Sequence, residues 1–179
     1  MKNSLLFAAF ILLSTHIAIC RSKPPAKITD FRSMPGTGIT LPVDTVPPGE
    51  IMEVITKVIN SLSNFDIDAV ANLYTPNALI ADDEPPYSWN GPTAGVQWVN
   101  AVEKTCKDNS LTKLKAFIEP INVYLQTADN VYVVVPVSYT GNLPGHSRFN
   151  AKGGFTFVLR IENGKWLIKS QVWMPRKGM

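Results

Sequence analysis

The residues able to do chemistry in this chain are few, and most of them crowd into one stretch. Asp82 to Gly91 reads Asp-Asp-Glu-Pro-Pro-Tyr-Ser-Trp-Asn-Gly: three consecutive carboxylates, Asp82, Asp83 and Glu84, followed by the aromatics Tyr87 and Trp89. The paired prolines forbid regular structure, so this is a loop. Such a run is either a solvated acidic loop or a source of proton transfer. A carboxylate at a pocket mouth flanked by Ile80, Tyr87 and Trp89 has its charged form desolvated and its pKa raised, which suits it to moving a proton at a carbon next to a carbonyl. A third reading, an all-oxygen cation site, needs all three acids to converge. His146 lies in a connection from Gly141 to Arg148, where it is either an exposed loop histidine or a group at a pocket rim. Near the C-terminus Lys169, Gln171 and Trp173 alternate with Ile168, Ser170, Val172 and Met174. A tryptophan with two polar neighbours on one strand face orients ligands well, although a plain surface strand gives the same pattern and one bulge reverses the faces.

Several chemistries are excluded or unsupported. With His146 the only histidine beyond the N-terminal segment, a His-rich metal site is excluded, and neither a metal nor a cofactor is expected. No G-x-S-x-G, H-E-x-x-H, Walker or G-x-G-x-x-G pattern occurs, which removes the commonest hydrolase, zincin and nucleotide readings. Cys106 falls at helical spacing from Val99 and Val102 and reads as a small buried apolar residue rather than a reactive thiol. The formal charge of +3 is weak and its basic residues are scattered, so nucleic acid is not an expected partner.

The elements that must position these groups follow from periodicity. Ile51, Val54, Ile55, Val58, Ile59 and Leu62 recur at the three-and-four spacing of an amphipathic helix. Asp66 suits the N-cap of a short second helix over Ile67 to Tyr74, and Asn77 to Ala81 reads as a short strand. Pro92 suits the first turn of a helix at about 93–107, with Val96, Val99, Val102 and Cys106 as its buried stripe. Everything after it is strand: Leu114 to Gln126, Val131 to Thr140, Phe149 to Ile161 and Lys165 to Met174, rich in Val, Ile, Phe, Tyr and Trp. Four consecutive strands imply an antiparallel meander, and Pro120, Pro136 and Gly153-Gly154 mark where it bends. The expected class is α+β: helices first, then a curved antiparallel sheet wrapped around them to leave an interior space.

The 179 residues with 45% apolar composition describe one ordinary globular domain, residues 50–179, preceded by two segments of other character. Lys2 precedes the apolar run Leu5 to Ile19, and the chain then turns basic and Pro-rich, the order of a secretory signal peptide over 1–20. Cleavage after Cys20 and a lipid on Cys20, after Ile17-Ala18-Ile19, are the two processing alternatives. The run is short for a membrane span. Residues 21–49 hold Pro24, Pro25, Pro35, Pro42, Pro47 and Pro48 and read as a leader or linker. The expected location is secreted or periplasmic. Removal of Cys20 leaves Cys106 without an intramolecular partner, so apolar contacts must carry the fold.

The stretch Asn64 to Ala78 (Asn-Phe-Asp-Ile-Asp-Ala-Val-Ala-Asn-Leu-Tyr-Thr-Pro-Asn-Ala), the Trp89-Asn90-Gly91-Pro92 that follows and the closing Gly164 to Trp173 resemble the NTF2-like superfamily, in the style of SnoaL-like polyketide cyclases and ketosteroid isomerases. The resemblance covers about residues 50–175. It implies a cone of curved sheet around helices (the cystatin-like arrangement), a ligand pocket at the open end and frequent dimerisation. In steroid-isomerase-like members the general base is an Asp four residues after the motif's final Ala, a position held here by Asp82. The same resemblance implies a pocket-facing register for Lys169, Gln171 and Trp173, with Tyr87, Trp89 and His146 as further ligand contacts. It also exposes two departures. Where those isomerases place an oxyanion-donating tyrosine and a second, protonated acid, this chain has Val58 and Thr156 or a neighbour, so steroid isomerisation by that route is not expected.

The expected function is therefore an exported protein that binds a small, mostly apolar molecule, with Asp82 performing isomerase-, cyclase- or dehydratase-like acid–base chemistry. The alternative is a non-catalytic ligand-binding or protein-interaction module of the same fold. A homodimer is expected because strands 149–174 carry large apolar residues on both faces.

Overall fold

A computed structural model describes residues 47–121 and 123–176. The expected signal peptide, its Cys20 and nearly all of the Pro-rich leader lie outside the described residues. Helix α1, Gly49–Ser61, starts against Pro48, whose carbonyl accepts from the Ile51 and Met52 amides. Its apolar stripe works as the spacing requires: Ile51, Ile55, Val58 and Ile59 are fully buried. Helix α2 is a single turn, Ile67–Val70, capped by Asp66, whose Oδ1 accepts from the Ala69 amide at 3.0 Å. It ends earlier than its pattern suggests because Tyr74 already belongs to strand β1, Tyr74–Ala81. Pro76 sits inside that strand, where the pairing is irregular between Tyr74 and Leu79.

Strand β2, Ser88–Asn90, folds back on β1, and α3, Ala94–Asp108, follows. The buried residues of α3 are Ala94, Gly95, Trp98, Val99 and Cys106; Val96, expected in the stripe, is only partly buried, and Trp98 takes the central place. Gly95 has a specific reason: a Cβ there would lie 2.1 Å from the Tyr74 ring, which crosses the helix at this point.

The expected first long strand is two strands, β3 (Thr112–Ile118) and β4 (Val123–Gln126), that pair with successive halves of β5 (Asn130–Asn142). The break falls at Pro120, which has no amide to offer the ladder. Strands β6 (Arg148–Glu162) and β7 (Lys165–Pro175) complete the sheet, joined by a tight turn with Asn163 and Gly164 at positive φ. The order is β2-β1-β7-β6-β5-β3, with β4 also on β5. All pairs are antiparallel except β1 with β7, which corrects the expected all-antiparallel sheet to a mixed one. The helices and the meander supply the long connection that parallel pairing requires.

The sheet is curved and open, and its inner face carries the core. Along β5 the odd positions Val131, Val133, Val135, Val137 and Tyr139 are buried, together with Phe155, Phe157 and Leu159 of β6. The other face is also apolar. Cross-strand rows join Val172, Thr156, Val134 and Val123, and then Leu79, Ser170, Val158 and Tyr132. Leu79, Val123, Tyr132 and Met174 are exposed there.

Candidate functional site

One cavity of about 570 Å³ opens between α3, the inner sheet face and the loop after β1. That size is ordinary for a small-molecule site. Its inner wall is aromatic. Phe155 stands between Trp98, in edge contact at 5.8 Å between ring centroids, and Trp173 at 4.8 Å, while Tyr139 meets Trp173 edge-on at 5.6 Å. Trp173 lies where a side chain on residue 153 would be: a Cβ on Gly153 would come within 2.5 Å of the indole ring and 2.4 Å of the Met174 carbonyl. Val102, Cys106, Leu111, Leu114 and Phe149 extend the apolar lining, and Asp83, Glu84, Asn109 and Arg176 are polar members of it.

Asp82 brings a carboxylate to this apolar space. Its backbone is fixed at the end of β1, where its amide donates to the Tyr87 carbonyl at 3.1 Å and closes the acidic loop on itself. Its Oδ2 accepts from Trp98 Nε1 at 2.7 Å, while Oδ1 has only a long contact, 3.4 Å, from the Glu84 amide. Burial pushes the Asp82 carboxyl up to about 6, against the pull of the Trp98 hydrogen bond and with help from Asp83 beside it. Such a group is mostly ionised at neutral pH yet basic enough to take a proton. Tyr139 also lines the cavity, and its hydroxyl is buried and has no hydrogen-bond partner. Burial raises its pKa further than the negative charge of Asp82 does, though both act in that direction.

The residues singled out by sequence fall in different places. Asp82 and Trp173 line the cavity; the other five do not. Tyr87 is 60% exposed on the loop, and Trp89 is buried in the core opposite Ile80. His146 lies on an exposed turn beside a separate surface recess with Asn142 and Arg148. Gln171 does face inward, but it is fully buried away from the cavity and accepts from the Tyr74 hydroxyl at 2.7 Å. Lys169 is corrected from pocket-facing to exposed. It is the extra residue of a bulge, because Ile168 pairs with Leu159 and Ser170 with Val158, so Ile168 turns inward in its place. Val58 is core and Thr156 lies on the outer face, so neither position puts a polar donor in the cavity. Among the described residues no group of three or more His, Cys, Asp or Glu side chains is placed to hold a metal, so the acids of the loop do not converge.

Sequence reasoning missed Trp98 and Tyr139. The signal for Tyr139 was present: it is in phase with Val131, Val133, Val135 and Val137, the inner face of β5. Trp98 sits one turn after Ala94 on the buried side of α3, hidden by the valine stripe beside it.

No protein-family model and no curated protein matches the sequence. Solved structures do match in shape. The hexachlorocyclohexane dehydrochlorinase LinA-type3 from Novosphingobium barchaimii superposes with a TM-score of 0.59 at 15% identity, covering 73% of this chain and 90% of that one. An NTF2-like superfamily protein from Salmonella enterica gives 0.59 at 16% identity, covering 73% and 91%. The chain has the NTF2-like fold. A putative scytalone dehydratase from Novosphingobium aromaticivorans gives 0.58 at 11% identity over 72% and 83%, and a cystatin-like protein from Nostoc punctiforme shares the same shape. The cavity between α3 and the inner sheet face is lined by both Asp82 and Tyr139.

Proposed function

We propose that this protein binds a small, mostly apolar molecule in its aromatic-walled cavity and moves a proton on it with Asp82. The observation that carries this reading is a single desolvated carboxyl, held by the Trp98 indole, facing a cavity of about 570 Å³ whose walls are otherwise mainly apolar. The similarity in shape to a dehydrochlorinase and to a putative scytalone dehydratase supports acid–base chemistry as a use of this fold. The apolar run Leu5 to Ile19 and the basic, Pro-rich residues after it support export of the chain, to a secreted or periplasmic location.

A general probe of carbon acidity tests the base. In nitrobenzisoxazole, a carboxylate takes the ring C–H proton, the freed electron pair forms the nitrile and the N–O bond breaks to give a phenolate. The protein should accelerate this ring opening with a rate that rises through about pH 6, as Asp82 ionises. Asp82→Asn should lower it about 10²-fold while the fluorescent apolar dye anilinonaphthalene sulfonate still binds. Equal rates for the two proteins overturn catalysis by Asp82 and leave a binding module. In that case Trp173→Ala, which opens the aromatic wall, should weaken the dye and Asp82→Asn should not.

The outer sheet face supports a homodimer, since its rows of Val172, Val134, Val123, Val158 and Leu79 form an apolar surface that a second copy of the same face would cover. Light scattering at micromolar concentration should give twice the monomer mass, and Val134→Lys should halve it. A monomeric wild type overturns the dimer.

A further inference from the structure

We infer that the ligand is an organic cation, an ammonium or quaternary ammonium group on an apolar body, and that its positive charge pairs with the Asp82 carboxylate in the cavity. This rests on the ligand-binding reading above and names the charge of the ligand; it holds whether or not Asp82 also moves a proton.

Asp82 is a largely buried carboxylate without a cation. Charged side chains taken out of water are ordinarily paired, because little else in a protein interior offsets the lost hydration. Its close hydrogen bond comes from a neutral donor: Trp98 Nε1 donates to Oδ2 at 2.7 Å, while Oδ1 keeps one long contact, 3.4 Å, from the Glu84 amide. The charged neighbour that acts on the carboxyl is Asp83, which has the same sign. None of the ion pairs among the described residues includes Asp82, Asp83 or Glu84, although all three line the cavity. The two cations of the lining do not fill the role. Lys152 stands opposite Ser138 with its Nζ 3.9 Å from Glu119, and Arg176 is exposed beyond the end of β7.

The cavity selects the kind of cation. An inorganic ion keeps its water until several oxygens replace it, and among the described residues no group of three or more His, Cys, Asp or Glu side chains is placed to do so. A substituted ammonium group is different: its charge is spread under apolar groups, and it gains from aromatic rings as well as from a carboxylate. Trp173 and Phe149, both partly exposed, line the space of about 570 Å³ together with Val102 and Leu111, and they take the apolar body. An anion meets the opposite balance. It would face the charge of Asp82, and neither Val58 nor Thr156 puts a polar donor in the cavity for it.

Benzyltrimethylammonium and neopentylbenzene have one shape and differ in a single atom, a charged nitrogen against a carbon. Each is used to displace anilinonaphthalene sulfonate, with the affinity of the dye itself measured at every pH. A carboxyl that titrates at about 6 is roughly one-tenth ionised at pH 5 and almost fully ionised at pH 8, so the wild type should bind the ammonium about tenfold more tightly at pH 8. The hydrocarbon should change less than about twofold. Asp82→Asn should remove the rise for the ammonium while the hydrocarbon still binds. The other titratable or charged groups of the lining are Asp83 and Glu84 on the same loop, Cys106 of α3, Tyr139 of β5, Lys152 of β6 and Arg176 after β7. Burial raises both the Cys106 thiol and the Tyr139 phenol, away from this pH range, and Glu84→Gln should keep the rise. An ammonium affinity equal at pH 5 and pH 8, a rise that survives Asp82→Asn or one that Glu84→Gln abolishes overturns the pairing with Asp82. If neither compound displaces the dye at any pH, the ligand-binding reading and this inference fall together.

Discussion

Two tyrosines of this molecule are buried to nearly the same degree, Tyr74 at 5% and Tyr139 at 7% exposure, and they have opposite fates. Tyr74 lies at the start of β1, packed over Gly95, and its hydroxyl donates to Gln171 of the neighbouring strand. Tyr139 lies near the end of β5 and lines the open cavity, and its buried hydroxyl has no hydrogen-bond partner. The first region is closed: the side chains fill the space and the polar atom is matched from within, although the Gln171 amide nitrogen remains unpaired. The second has room and an unmatched donor, with the one strongly shifted carboxyl among the described residues nearby. Burial alone does not distinguish core from site. What distinguishes them is whether the fold itself satisfies the polar atoms it buries.

The largest effect on stability should come from the carboxyl of the open region. Asp82 binds its proton more tightly when folded, at about 6 against an ordinary value of 3.8, so the native state is favoured below about pH 4 and loses that advantage as pH rises to about 6. Asp82→Asn removes the penalty of burying the charge. At pH 8 it should stabilise the protein by about 2 kcal/mol in urea unfolding, a gain that shrinks toward zero at pH 4. An equal gain at both pH values would mean that the carboxyl is not desolvated.

In the closed region, Tyr74→Phe should cost about 1.5 kcal/mol, because it strands the Gln171 amide oxygen beside an amide nitrogen already unpaired. The smallest effect belongs to Tyr139→Phe, below about 0.5 kcal/mol, since no internal hydrogen bond is lost. Should the two tyrosine variants lose stability equally, Tyr139 has a structural partner and the contrast between the regions fails. Differential scanning calorimetry of the pair at one pH decides this.

Much of the fold is legible in the order of the residues. The stripe Ile51, Ile55, Val58 and Ile59 can only be one helix face, and the Val-rich runs with Asn163-Gly164 between the last two can only be hairpin strands. What sequence spacing misplaces are the points where local preference yields to pairing. Tyr74, in phase with a helix, is taken by β7, whose Ile168 lies opposite it. Lys169, in phase with Gln171 and Trp173, becomes the extra residue of a bulge and moves to the surface, because the pairing of β7 with β6 shifts register there. Trp89 and Tyr87 share one loop with Asp82, yet the hairpin buries the first in the core and leaves the second in solvent.

The sequence by itself determined the order of helices and strands, the apolar faces that must meet, and the presence of an acid at the end of β1, because periodicity and turn chemistry act over a few residues. Only the tertiary structure decided which acid of the run Asp82, Asp83 and Glu84 is desolvated, that an indole from α3 donates to it, and that a buried tyrosine of β5 lies within reach of its charge. The reason is physical: a pKa and an unmet hydrogen bond are set by neighbours brought together across the fold, Trp98 and Tyr139 lying far along the chain from Asp82, and no local pattern fixes that distance.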